Sequence, residues 1–101
     1  TGNGKLTYPV GLLTSDEVML AGGKYITSNS TYYLYTNSFF WLGSPNSFDD
    51  FGACAINAYS SGYLAYSSVD YTSGARPAVS LKPGTVISSG YGTSNTPYII
   101  N

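Results

Sequence analysis

The apolar positions fall into short alternating runs, broken every eight to twelve residues by Gly, Pro, Ser or Asn, which is the rhythm of a β-rich chain. Leu6, Tyr8, Val10 and Leu12 alternate with Thr7, Pro9 and Gly11. They predict a half-buried strand that Pro9 confines to an edge or bulge. A helix is expected next, from Ser15 to Ala21. Thr14 and Glu17 have the spacing of a capping box, Leu13 and Val18 that of a hydrophobic staple, and Gly22-Gly23 supply a stop. Asp16 and Glu17 also suit the positive end of the helix dipole.

Beyond Ser28-Asn29-Ser30, the aromatic segment Thr31 to Tyr35 and the run Phe39-Phe40-Trp41-Leu42 read as two strands, the second ending at Gly43-Ser44-Pro45-Asn46. From Ala53 to Tyr59 small residues alternate, and Ser60-Ser61-Gly62 turns the chain into Tyr63 to Val69. This is a β-hairpin. A further strand is expected from Ala75 to Leu81, and Pro83-Gly84 fits the centre of a type II turn. Val86-Ile87 pairs with Tyr98-Ile99-Ile100 across a Gly-rich loop in this reading. No internal repeat is present.

Composition narrows the picture. Ser, Thr, Asn and Gly make up 44 of the 101 residues, and 11 Tyr are added to them, while only 9% are charged. The chain is solvated by hydroxyls and amides rather than by ions. Its aromatics distinguish it from disordered segments, and at this length roughly 65% of the unfolded surface can be buried in one domain, residues 1–101. Four basic and five acidic residues, net −1, cannot neutralise a row of phosphates, so nucleic acid is not an expected partner. No apolar stretch reaches 18 residues, so membrane insertion by this domain is not expected either. The single Cys54 rules out an internal disulfide. The opening Thr1-Gly2-Asn3-Gly4 reads as the start of a piece excised from a longer exported protein.

Three stretches together resemble a family of uncharacterised bacterial proteins of Gram-positive gut organisms. They are Gly11-Leu12-Leu13-Thr14-Ser15-Asp16-Glu17-Val18 with Ala21-Gly22-Gly23, then Tyr32-Tyr33-Leu34-Tyr35 with Trp41-Leu42-Gly43-Ser44-Pro45, and finally Gly74 to Lys82 with Gly92-Thr93 and Pro97-Tyr98-Ile99. The resemblance covers nearly the whole chain and implies an extracellular or cell-surface location. The order of a Leu-Thr-x-x-Glu helix start, a strand bearing Trp41, a small-residue strand and a closing Gly74-Ala75-Arg76 is similar, more remotely, to the C-type-lectin-like fold, including its formylglycine-generating branch. It implies an α+β scaffold, mostly antiparallel β with one short helix. The aromatic of the closing motif, the paired disulfides and the reactive cysteine pair are all missing, so only a scaffold carries over.

The chain has no His, which excludes imidazole bases and His metal ligands. Asp49 and Asp50 offer carboxylates for a glycosidase-like acid pair or for calcium, yet neighbours in a strand point to opposite faces and the cluster is poor in oxygen ligands. A solvated loop beside Phe48 and Phe51 is the plainer reading. Cys54 sits among Ala53, Ala55 and Ile56 and reads as a buried small hydrophobe rather than a nucleophile. Gly90-Tyr91-Gly92-Thr93 has neither the Lys nor the helix of a phosphate loop and reads as a hairpin turn.

The Tyr surplus is the strongest functional signal. Tyr59, Tyr63, Tyr66 and Tyr71 crowd one hairpin region, and Tyr with Ser, Gly and Asn is the palette of antibody paratopes, where rigid rings give contact area at low entropic cost. These tyrosines with Asn46 are the candidate ligand-binding residues, weighed against the plain fact that Tyr suits half-buried strands. The sequence thus predicts a non-catalytic extracellular module, needing no cofactor, that binds a glycan or protein on a host or bacterial surface. The alternatives are a structural pilin-head or spacer domain and an enzyme using Asp49 or Asp50. Arg76, the only arginine, is expected to pair with Glu17 or Asp16, because in the lectin-like scaffold the closing strand lies near the helix.

Overall fold

The structure, a computed structural model, describes residues 5–101. Its elements in chain order are β1 (Val10–Gly11), α1 (Ser15–Leu20), β2 (Lys24–Tyr25), β3 (Phe40–Asp49), β4 (Gly52–Ala58), β5 (Tyr63–Ser68), β6 (Ala78–Val79), β7 (Ile87–Ser89) and β8 (Ile99–Ile100). The architecture is mostly β with one short helix, an α+β arrangement.

The helix forms where the local signals place it, one residue shorter at its end than expected. Thr14 Oγ1 accepts from the Glu17 backbone N–H at 3.2 Å, and Glu17 returns the bond by accepting from the Thr14 N–H at 2.7 Å. Gly22 N–H donates to the Met19 carbonyl and Gly23 N–H to the Val18 carbonyl, a Schellman closure that needs the positive φ of Gly22 (112°). The start of α1 is tied to β3 by the Ser15 N–H, which donates to Ser44 Oγ at 2.9 Å, and by the Gly43 N–H, which donates to the Leu13 carbonyl. Val18 is thereby fully buried.

Four strands build the main sheet in the order β2-β5-β4-β3. The β4–β5 hairpin matches its sequence expectation, with Gly62 at φ 85° closing the turn and Cα partners Ala58↔Leu64, Asn57↔Ala65 and Ile56↔Tyr66. β3 does not stop at Pro45. It runs on to Asp49 and pairs antiparallel with β4, with register shifts on either side of Pro45 that absorb its missing N–H. β2 joins β5 in parallel, so the sheet is mixed. Side chains alternate across it. Phe40, Leu42, Ile56, Ala58 and Leu64 form one face and meet Val18 and Tyr32 in the apolar core.

Three expected strands shrink or vanish. Leu6 to Leu12 keeps only β1, exposed, and Ala75 to Leu81 keeps only β6, which pairs with β1 and not with the main sheet. What runs beside β3 after the hairpin is Gly74, bridged in parallel to Phe40, where an added Cβ would lie 2.7 Å from the Phe39 carbonyl oxygen. Thr31 to Tyr35 is not a strand. Tyr35 N–H donates to the Tyr32 carbonyl, and the turn thus closed drops the Tyr32 ring into the core while Tyr33 stays outside. Burial of one aromatic overrides the β propensity of its neighbours.

Pro83-Gly84 turns the chain as predicted, with Gly84 at φ 83° and Thr85 N–H donating to the Lys82 carbonyl. β7 and β8 then pair antiparallel as a separate two-stranded unit, as the sequence predicts.

Candidate functional site

The face of the sheet opposite the core carries Trp41, Ala55, Asn57, Tyr63, Ala65 and Ser67, the alternate positions of β3, β4 and β5. The segment after β5 folds over part of this face. Between them lies a cavity of about 390 Å³ lined by Phe39, Asn57, Tyr59, Ser67, Tyr71 and Thr72.

Its walls are aromatic and mutually braced. Phe39 meets Tyr59 edge to face with centroids 4.9 Å apart, and Tyr59 stacks on Tyr63 at 4.6 Å with planes 15° apart. The Tyr59 hydroxyl lies 3.0 Å from Ser67 Oγ and donates weakly to the Tyr66 carbonyl. A ring stacked on one side, met at its edge on another and bonded through its hydroxyl keeps little rotamer freedom. Tyr71, by contrast, stands at the rim and is 69% exposed.

Asn57 forms part of the cavity wall and is 2% exposed. Its amide nitrogen donates to Ser73 Oγ at 3.0 Å, and its Oδ1 has no partner. Turning the amide over exchanges the two atoms at Ser73 and still leaves one end unpaired. A buried polar atom in this state costs about 1–3 kcal/mol of stability. No Asp, Glu, Lys or Arg lines the cavity.

Two of the five predicted ligand residues, Tyr59 and Tyr71, line this cavity, and Tyr63 supports Tyr59 from behind. Tyr66 points to the opposite face, as its pairing with Ile56 requires, and lends the site only its carbonyl. Asn46 stands apart on the bulged half of β3, where its Oδ1 accepts from Ser47 Oγ. Phe39, Asn57, Ser67 and Thr72 were not among the expected residues. The signal for Asn57 was present: an amide on the face opposite Ile56 in a strand of otherwise small or apolar residues.

No family model, curated protein or solved structure matches the chain.

The other candidates resolve by geometry. Arg76 does not pair with Glu17 or Asp16. Its guanidinium donates to the Leu34 carbonyl at 2.7 Å and lies 4.8 Å over the Phe40 ring, while the Glu17 carboxylate is held by the helix cap. The expected ion pair fails because the stretch after Arg76 joins β1 and the guanidinium is left beside the Tyr32–Tyr35 turn. Tyr32 itself is pushed above the ordinary tyrosine range by burial, a shift that the Arg76 charge opposes and Tyr35 reinforces. Asp49 serves its own turn, its Oδ1 accepting from the Phe51 N–H and its Oδ2 from the thiol of buried Cys54. Among the described residues no cluster of three carboxylate or thiol groups is placed to hold a metal ion. Trp41 is half-buried beside Asn57, and its backbone N–H donates to the Gly74 carbonyl, which locks the covering segment to β3.

Proposed function

We propose that this chain is a non-catalytic binding module that takes a neutral glycan in the cavity between Phe39, Tyr59 and Tyr71. The observation that carries the reading is the braced ring of Tyr59, presented beside amide and hydroxyl groups in a cavity whose lining includes no charged residue. A sugar ring offers an apolar C–H face and a belt of hydroxyls, so it matches an aromatic plane edged by Asn57, Ser67 and Thr72, whereas an ionic ligand would find no counter-charge. The resemblance to secreted Gram-positive proteins and the C-type-lectin-like order of motifs support placing such a module at a bacterial surface.

A glycan array tests this, with Tyr71→Ala beside the unchanged chain. Because Tyr71 is exposed, its removal should leave the melting behaviour unchanged and weaken glycan binding about tenfold or more. Binding unaffected by Tyr71→Ala, or an array with no hit, would defeat the reading. The extended outline, 51 × 34 × 22 Å, favours a spacer domain as the second reading.

A further inference from the structure

The last 19 residues contain no charged side chain, and they build a hairpin of unusual definition for one that the rest of the molecule hardly uses. Gly90 at φ 96° and Gly92 at φ 77° close its loop. An added Cβ at Gly90 would overlap the Pro97 carbonyl, and one at Gly92 would press on the Tyr98 ring. Tyr91 and Gly92 N–H both donate to the Thr96 carbonyl, and Thr93 and Thr96 bond through their hydroxyls. The geometry is fixed. Yet Val86, Ile87, Tyr98, Ile99 and Ile100 all remain roughly half exposed or more, and β7 and β8 pair only with each other. A two-stranded ribbon alone is marginal in water.

The whole chain shows the same deficit. Its surface is 7536 Å², where a compact monomer of this mass exposes about 5,500 Å². Its radius of gyration is 15.4 Å against about 13 Å for a compact domain of this length. The excess of about 2,000 Å² is shared by the whole chain, and the exposed Val86, Ile87, Tyr98, Ile99 and Ile100 of the ribbon are part of it.

We infer that the β8 edge, Tyr98 to Asn101, pairs antiparallel with the same edge of a second copy of this chain, so that two hairpins join into a four-stranded sheet. Edge strands are ordinarily blunted by Lys, Pro or a covering loop. Among the described residues none of these covers this edge, and the nearest proline, Pro97, lies in the loop. The Asn101 N–H points inward to the Val86 carbonyl, so the Ile100 N–H, one residue before it, points to the open edge. An antiparallel strand is its own complement across a two-fold axis, since each outward N–H meets the symmetry-related carbonyl. With no charged side chain on either edge, the side chains of two approaching copies add no repulsion and offer a charged partner nothing to select.

Sedimentation velocity on the full chain, from low to high micromolar concentration, tests the pairing. The expected species is a dimer of twice 10.7 kDa. Ile99→Lys places like charges near the two-fold axis and should raise the dissociation constant about 100-fold or more. Ile100→Pro removes the outward N–H while leaving the Asn101–Val86 bond in place, and should also give monomers with an unchanged circular dichroism spectrum. Phe48→Lys, at a still more exposed aromatic on the β3–β4 hairpin, should leave the dimer intact. A monomer at every concentration, an open-ended polymer, or a dimer that survives both β8 variants overturns the proposal.

Discussion

The two faces of the β3-β4-β5 sheet are made by the same strands, residue by alternate residue, and they differ in almost every physical respect. One face is dry: Phe40, Leu42, Ile56, Ala58 and Leu64 close against Val18 and Tyr32, with Leu64 and Val18 wholly removed from water. The other is concave and mixed, with braced aromatic rings, two hydroxyls and an amide whose oxygen lacks a partner. The first face gains free energy from burial alone. The second holds an unsatisfied group and an open hollow, features that reduce stability and that folding by itself gives no reason to keep. The dry core and the open cavity are thereby separated by the two-residue period of a strand, with each assigned to one parity of position.

The separation can be broken most directly at Leu64, where truncation to Ala should cost about 3 kcal/mol in urea melts. Ser67→Ala, three residues on and facing the cavity, should cost under about 1 kcal/mol. Equal losses would show that both faces carry the fold. Next in size is Arg76→Met. It strands the Leu34 carbonyl and removes the charge over Phe40, for an expected loss of about 1–2 kcal/mol at this half-buried site. Combining it with Glu17→Gln should give additive losses, because Glu17 acts only in the cap; a coupling energy beyond about 0.5 kcal/mol would restore the ion pair that the geometry denies.

Asn57→Leu sharpens the comparison from the other side. Removing the orphaned amide should leave stability equal or raise it by about 1 kcal/mol while glycan binding falls. A clear destabilisation would mean that Asn57 serves the core. The smallest effect is in alkali. Burial raises the Tyr32 pKa in the folded state above its unfolded value near 10, so the folded chain holds this proton more tightly. The stabilisation is complete below about pH 10 and is lost as the pH climbs through the folded-state value. Tyr32→Phe should flatten that part of the stability–pH curve, and an unchanged slope would assign the loss to other tyrosines.

The parts of this molecule that depend on neighbours in sequence were legible in it. Thr14 and Glu17 cap their helix, Gly22 and Gly23 end it, Gly62 turns the central hairpin, and Gly90 and Gly92 close the terminal one, because each needs only a hydrogen bond or a positive φ within a few residues. Two of the tyrosines crowded near residues 59–71, Tyr59 and Tyr71, line the cavity at that end of the sheet. What the tertiary structure alone decided is which distant segments meet. Pro45 sits inside a long strand because bulges absorb it, Tyr32 leaves its β-prone run to fill the core, and Ala78–Val79 pairs with Val10–Gly11 rather than the main sheet. Phe39, Thr72 and Asn57 become neighbours only when the segment after β5 folds back along β3 through Gly74. Arg76 found a backbone carbonyl and an aromatic face instead of a carboxylate. Charge content shows that a guanidinium needs a partner, but only packing brings one within reach, since contacts across tens of residues are set by competing burial and not by any pattern local to either end.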